Sequence, residues 1–463
     1  MNNTLFLFFL VITFHPVFGQ DQETDLQTLT RLSKALQFKT ISAETHPNHA
    51  RDYNDFILWI RENFPLVHQK LEHRIVNNYS LLYEWKGTDA SLLPGLFVAH
   101  YDVVPAEGSG TWVYPPFSGH MDGEFIWGRG ALDNKSQMLG MLESVEDLVR
   151  QNISPRRTLF FAFGHDEESG GDQGAGHIKS YFNDRGLRFE FILDEGGAMM
   201  KDVFPGTSAT FAAIGTAEKG YLDIELSVRA VGGHSSVPPM ENAIEILSIA
   251  LVKLNNQGMP LKLQEPTVGM LKAIAPHMKF ATRMAIRLRF LFKKKLLLEL
   301  SKNPATNTLV RTVLSPTLVG GGSKENILPD SAFANINVRL TPGETVESVT
   351  EHVQKVIKDD RISIAWKLPY YNASPVTRTD TEIWYLLTEA IKAEFPGVVP
   401  APVLFPATTD SHHYQLLSDN ILRFSPITIS TLNSESIHGV NERIAKVEYI
   451  QVIKFYTKFI LAN

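Results

Sequence analysis

"TLFFAFGHDEESGG", residues 158–171, begins as an unbroken apolar run and ends in one histidine, three successive acids and a glycine pair. A short apolar run without alternation reads as a strand buried on both faces. Two further stretches share the form, "GLFVAH" (95–100) and "FEFILDEGG" (189–197), each closed by polar residues or glycine. Between them, "NKSQMLGMLESVEDLVRQN" (134–152) and "GAGHIKSYFNDRG" (174–186) repeat apolar positions at helical spacing. Buried strands alternating with helices predict an α/β fold, a mostly parallel sheet with helices on both faces.

Outward from this core the texture changes. Residues 25–64 read as helical, and a chain of 463 residues is long enough for two or three units. "YLDIELSVRAV" (221–231) and "FANINVRL" (333–340) alternate as half-exposed strands do, while "ENAIEILSIALVKLNNQ" (241–257) and "TVESVTEHVQKVIKDD" (345–360) read as amphipathic helices. An α+β lid or dimerisation-type unit, its sheet covered on one face, is expected at 215–372. It would be inserted into a catalytic domain formed by 20–214 and 373–463. The segment 268–302, rich in Met, Leu, Phe, Lys and Arg, is expected to be a helical excursion of the inserted unit, with apolar surplus available to cover a long apolar substrate.

Composition narrows the function. Apolar residues make up 44% and charged residues 20%, which is globular. A formal charge of −6 argues against a nucleic-acid partner, because counterion release needs clustered Lys and Arg. The N-terminal "MNNTLFLFFLVITFHPVFGQ" resembles a secretory signal peptide over residues 1–19 and predicts a secreted or lumenal protein. Cysteine is absent, so disulfides, thiolate metal sites and a cysteine nucleophile are excluded together. Asn78, Asn152 and Asn372 each open a glycosylation sequon.

In parallel sheets, ligands bind beyond the carboxyl ends of the strands. Here those ends carry His100 and Asp102, Glu167 and Glu168, and Asp194, with Asp133 at a helix head and His438 before the last helix. His100 and Asp102, two apart on an extended segment, face the same way, so Asp102 can orient the imidazole while its other nitrogen binds a cation. Imidazole and carboxylate without thiolate suit zinc, with cobalt or manganese as substitutes. Two histidines and three or more acids exceed the needs of one tetrahedral ion, which points to two ions sharing a carboxylate. If the strand continues, Glu167 and Glu168 face opposite ways, one for metal and one to take a proton from the attacking water; spacing leaves open which is which.

Together "HYDVVPA" (100–106), "WGRGALDNK" (127–135), "GHDEESGG" (164–171), "ILDEGG" (192–197), "GGHSS" (232–236) and "SIHGVNE" (436–442) resemble the aminoacylase/carboxypeptidase family of two-zinc metallopeptidases. The likeness spans nearly the whole chain, and "YPPFSG" (114–119), "SPRRTLFFAFGHDEESGG" (154–171) and "EKGYLDIEL" (218–226) are similar to its carboxypeptidase S branch. The resemblance implies that His100 and Asp194 bind one zinc and Glu168 and His438 the other, with Asp133 bridging. It makes Asp102 the orienter of His100 and Glu167 the general base, and implies a cis peptide between Asp133 and Asn134. It implies that His234 stabilises the oxyanion, often by reaching a neighbouring subunit, and that Asn326 and Arg339 hold the substrate's carbonyl or carboxylate.

The implied activity is hydrolysis of N-acyl amino acids, N-fatty-acyl amino acids in particular, or the reverse condensation. A carboxypeptidase or dipeptidase is the alternative, and a zinc-binding protein without turnover a further one. A second copy and a lipid or lipoprotein surface are the implied partners besides the small-molecule substrate. One position departs from the branch: His412 follows Asp410-Ser411 where relatives carry arginine, so an imidazole replaces a permanent forked cation.

Overall fold

The computed structural model describes residues 18–42, 49–106, 109–202, 207–430 and 433–463. The expected signal peptide lies outside these apart from Phe18 and Gly19, which open the helix Phe18–Ala35. The three apolar runs form the strands Gly95–His100, Leu159–Gly164 and Phe191–Asp194, every residue buried. Gly95–His100 lies parallel between the other two, and Ile421–Arg423 continues the parallel set beyond Phe191–Asp194.

Pleating explains the unbroken apolar pattern, because alternate residues enter two different cores. Phe97, Ala99, Phe161, Phe163 and Leu193 pack into the larger core with the helices Lys135–Arg150 and Lys446–Ala462. Leu96, Val98, Phe160, Ala162 and Ile192 pack on the opposite face with Ile178 and Phe182 of the helix Ala175–Asp184. The stacked rings of Phe97 and Phe161, 5.1 Å apart, lock neighbouring strands in register. An antiparallel pair, Glu72–Val76 with Ser80–Trp85, extends one side through Leu159–Gly164. On the other side lie Phe211–Glu218, Met199–Met200 and Thr428–Ile429, and Val399–Phe405 pairs in parallel with Phe211–Glu218.

A second, antiparallel sheet is ordered Val313–Gly321, Ser331–Leu340, Gly220–Arg229, Ile362–Tyr371. Leu222, Ile224, Leu226 and Val228 alternate into a core shared with the helices Ala243–Asn256 and Val346–Ile357. The opposite face is polar: Asp223 accepts from Tyr221 Oη, Asn335 Nδ2 and Asn337 Nδ2 at 2.6, 2.9 and 3.1 Å. The chain enters this sheet across Glu218-Lys219-Gly220 and leaves it after Tyr371, and the two crossings touch. A Cβ on Gly220 would stand 2.5 Å from the Tyr371 carbonyl oxygen.

The segment 268–302 is helical, as expected, but packs elsewhere. Met270, Leu271, Ile274 and Ile286 pack with Phe211, Val399 and Val403 of the large sheet, outside the core of the small one. No residue of this segment lines the cavity described below.

Candidate metal centre and active site

Parallel pairing brings three strand ends to one edge, and their side chains meet there. His100 Nε2 lies 3.1 Å from Asp133 Oδ1 and 3.1 Å from Glu195 Oε1. His438 Nε2 lies 3.1 Å from Asp133 Oδ2 and 3.2 Å from Glu168 Oε2. The two oxygens of Asp133 are thus divided between two histidines, the arrangement a carboxylate shared by two cations requires. Within each trio, His100 with Asp133 and Glu195 or Asp133 with Glu168 and His438, the ligand atoms lie within 4.8 Å of one another.

One expected ligand is displaced. Asp194 ends its strand with its carboxylate turned away, accepting from the Ser411 and Glu195 amides at 2.7 and 2.9 Å. The acid presented to His100 is Glu195, whose longer side chain leaves the sheet after the last paired residue. Asn134 Nδ2 donates to Glu195 Oε2 at 2.5 Å, across the cis Asp133–Asn134 peptide. Asn134 also opens a sequon, Asn134-Lys135-Ser136, but its burial leaves no room for a glycan.

The remaining geometry explains how the acids are held. Asp102 Oδ1 lies 3.3 Å from His100 Nδ1, and its two oxygens accept from the Glu167 and Glu168 amides at 3.2 and 3.1 Å. Asp102 therefore orients both the imidazole and the acidic loop. The strand stops at Gly164, and Glu167–Ser169 is a single 3-10 turn, so a turn and not a pleat separates the two glutamates. Glu168 points to His438, while Glu167 Oε2 stands 3.9 Å from His100 Nε2. Glu442, which sequence reasoning passed over, accepts from the Gly130, Leu132 and Asp133 amides at 3.1, 2.8 and 3.2 Å and from Arg129 Nη1 at 2.6 Å. It braces the turn that presents Asp133. His165, given no catalytic role, is buried with Nδ1 2.6 Å from Ser80 Oγ, and Asp166 accepts from the Gln173 and Gly174 amides.

The electrostatics fit a cation pair. Burial pushes Glu167 well above the ordinary carboxylate range, and raises Glu168 to about 7 despite its bond to His438. Burial opposes ionisation of Asp133 too, but bonds to His100 and His438 outweigh it and hold that carboxyl low. Bonds to Asp133 and Glu168 raise His438 to about 10. The polypeptide alone must therefore recruit protons to balance its crowded acids, and Glu168 Oε1 is buried without a hydrogen-bond partner. Divalent ions on these nitrogens and oxygens would replace those protons.

A cavity of about 560 Å³ adjoins the cluster. Leu132, Ala198, Met200, Phe405, Ile427, Ile429 and Ile437 give it an apolar wall; Tyr221, Arg339 and Tyr371 line it from the small sheet. The Arg339 guanidinium lies 4.8 Å from the Tyr221 ring centre, Tyr221 stacks on Tyr371 at 5.8 Å, and Tyr371 stacks on His412 at 4.5 Å. Burial lowers the His412 pKa, so this position offers a neutral imidazole where relatives are expected to offer a cation. Asp410 also lines the cavity; both its oxygens are buried without a partner, and burial beside Asp194 and Asp166 raises its pKa well above the usual range. It fits only because residue 171 is glycine: a Cβ there would stand 2.1 Å from Asp410 Oδ1.

His234 and Asn326 fall outside this assembly. They sit beside each other on the ladder of Gly233–His234 with Ile327–Leu328, where the Ser235 amide donates to the Asn326 carbonyl at 3.2 Å. His234 is exposed, and neither residue lines the cavity of its own chain.

Comparison with known proteins agrees with this geometry. Residues 96–462 match the model of peptidase family M20/M25/M40. The chain is 40% identical over 438 residues to "Probable carboxypeptidase S-like 2" of Dictyostelium discoideum, covering 94% of this chain and 84% of that one. It is 36% identical to the "N-fatty-acyl-amino acid synthase/hydrolase PM20D1" of Mus musculus, covering 93% and 86%. The crystal structure of the M20 family metallo-carboxypeptidase Sso-CP2 from Sulfolobus solfataricus superposes with a TM-score of 0.69 at 19% identity, covering 94% and 99%. With the divided Asp133 carboxylate at the sheet edge, these matches make the chain a member of peptidase family M20/M25/M40 and a metal-dependent hydrolase of amide bonds.

Proposed function

We propose that the protein is a secreted two-zinc amidohydrolase of N-acyl amino acids, N-fatty-acyl amino acids in particular, able to run the reverse condensation when fatty acid and amino acid are abundant. The observation that carries this reading is the cavity itself. It joins the acid and histidine cluster to an apolar wall of Met200, Phe405, Ile427 and Ile429 and to the guanidinium of Arg339. An acyl chain suits the first and a free carboxylate the second. The likeness to the mouse N-fatty-acyl-amino acid synthase/hydrolase supports the same substrate class.

His100, Asp133 and Glu195 would hold one ion, and Asp133, Glu168 and His438 the other. When bound, the ions supply Lewis acidity that polarises the amide carbonyl and acidifies water. The chain's own residues do the rest. Asp102 keeps the His100 ring and the Glu167 turn aligned. Glu167, made basic by its burial, takes a proton from the attacking water and returns it to the leaving nitrogen. Arg339 orients the substrate by its carboxylate. His234, exposed on its own chain, stabilises the oxyanion in the cavity of a second copy, which calls for a homodimer. Because a catalyst lowers one barrier for both directions, the same groups serve condensation.

The test compares kcat/KM for an N-oleoyl amino acid and for a blocked dipeptide with a free carboxylate on zinc-loaded protein. Preference for the oleoyl substrate, lost on chelation, is expected; a strong preference for the dipeptide would sink the acyl reading in favour of a carboxypeptidase.

A further inference from the structure

His412 lines the cavity with a ring that is held in place on several sides. It ends the 3-10 turn Asp410–His412, which the Thr409 hydroxyl caps and which the bond from the Ser411 amide to Asp194 anchors. The Thr409 carbonyl accepts from the His412 amide at 3.1 Å, and the imidazole Nδ1 lies 2.8 Å from the same oxygen. The ring lies on Tyr371 with 19° between the planes, and the His413 ring centre is 3.8 Å away.

These contacts fix what the ring offers. A carbonyl oxygen only accepts, so Nδ1 carries the hydrogen, and in the neutral ring Nε2 is left as an acceptor. Burial, with Arg423 adding to it, outweighs the Thr409 bond and Asp172 and keeps the ring neutral at neutral pH. Among the described residues Nε2 has no hydrogen-bond partner. A fixed lone pair beside a substrate cavity accepts from a donor without reorganising, and repels an anion.

The charges around the cavity sharpen that choice. Among the described residues lining it, Arg339 is the one permanent cation, and His438 is engaged by Asp133 and Glu168. Once Arg339 holds the substrate's free carboxylate, no cation remains for a second. Asp410, whose oxygens have no partner, adds a further acidic group on the same side as His412.

We infer that His412 is a specificity-determining residue. Its Nε2 accepts from the amino-acid side chain of the substrate, which favours a side chain ending in an uncharged donor, such as a carboxamide, over one ending in a carboxylate. The inference rests on the substrate class proposed above and deepens it.

Glutamine and glutamate share one shape and differ in this polarity. The test measures kcat/KM on metal-loaded protein for N-oleoyl-glutamine and N-oleoyl-glutamate, and for the two blocked dipeptides that end in the same residues. The wild-type protein is expected to favour glutamine by about tenfold or more in each series. His412→Phe keeps a ring against Tyr371 and removes the acceptor, and is expected to lower that ratio about fivefold or more. His412→Arg supplies a forked cation and is expected to lower it about a hundredfold, in favour of glutamate. A smaller folded fraction slows both members of a pair alike and leaves their ratio unchanged, so the ratio reads the contact and not stability. If the arginine variant does not fold, the phenylalanine variant decides.

A wild-type preference for glutamate would overturn the inference, as would a ratio that His412→Phe leaves unchanged. If the dipeptides are the faster substrates throughout, the acyl reading falls, and the glutamine-to-glutamate ratio within the dipeptide series still decides for His412.

Discussion

Asp194 and Glu195 differ by one position and one methylene, yet they hold opposite posts: the first is bound to the Ser411 amide, the second faces His100. Glu195→Gln is therefore expected to weaken one of the two bound ions by more than the roughly ten- to hundredfold that losing a ligand's hydrogen-bond partner costs. Asp194→Asn should retain both. Metal counting by mass spectrometry after dialysis checks the pair, and equal losses would return Asp194 to the ligand set. Glu167→Gln should lower kcat by about a hundred- to ten-thousandfold with both ions retained, because only the proton carrier is removed.

At this scale the sequence was readable in kind more than in detail. His100, Asp102, Asp133, Glu168 and His438 stood at strand ends and a helix head where a metal centre belongs. Which of two adjacent acids looks inward depends on where pairing stops and how the turn leaves the sheet, and a one-residue spacing does not carry that. Glu442 was hidden differently, since its partners are backbone amides over 300 positions away.

Among elements, the helix Lys135–Arg150 shows how tightly the catalytic layer is built. Gly140 faces the helix Lys446–Ala462 so closely that a Cβ would stand 2.7 Å from Val452 Cγ1. Gly140→Val is expected to cost about 1–3 kcal/mol by overpacking, less the small gain in helix propensity, and to lower the thermal midpoint. An unchanged midpoint would mean the helices part freely. These helices were legible because a long amphipathic period is a strong signal. The pair Glu72–Val76 and Ser80–Trp85 was not, since the first strand is exposed along almost its whole length and shows no alternation. Val399–Phe405 was disguised by prolines at 400 and 402, tolerated because that strand pairs with a single neighbour.

Across the whole molecule, the crossing between the two sheets is tied to the site. Glu218, on the way into the small sheet, forms a fully buried ion pair with Arg423 at 2.9 Å and accepts from the Thr409 amide at 3.0 Å. Arg423→Met would strand a buried carboxylate and is expected to destabilise the fold by about 3–5 kcal/mol, read as a lower urea midpoint. A change under about 1 kcal/mol would mean that water reaches the junction. From Thr409 the contacts run on: the Ser411 amide holds Asp194, and Asp194 holds the amide of Glu195. The junction is thus a transmission shaft. A swing of the small sheet that draws Arg339 toward a carboxylate would load this line of contacts at Glu218, and the expected consequence is that metal affinity changes when a carboxylate ligand fills the cavity.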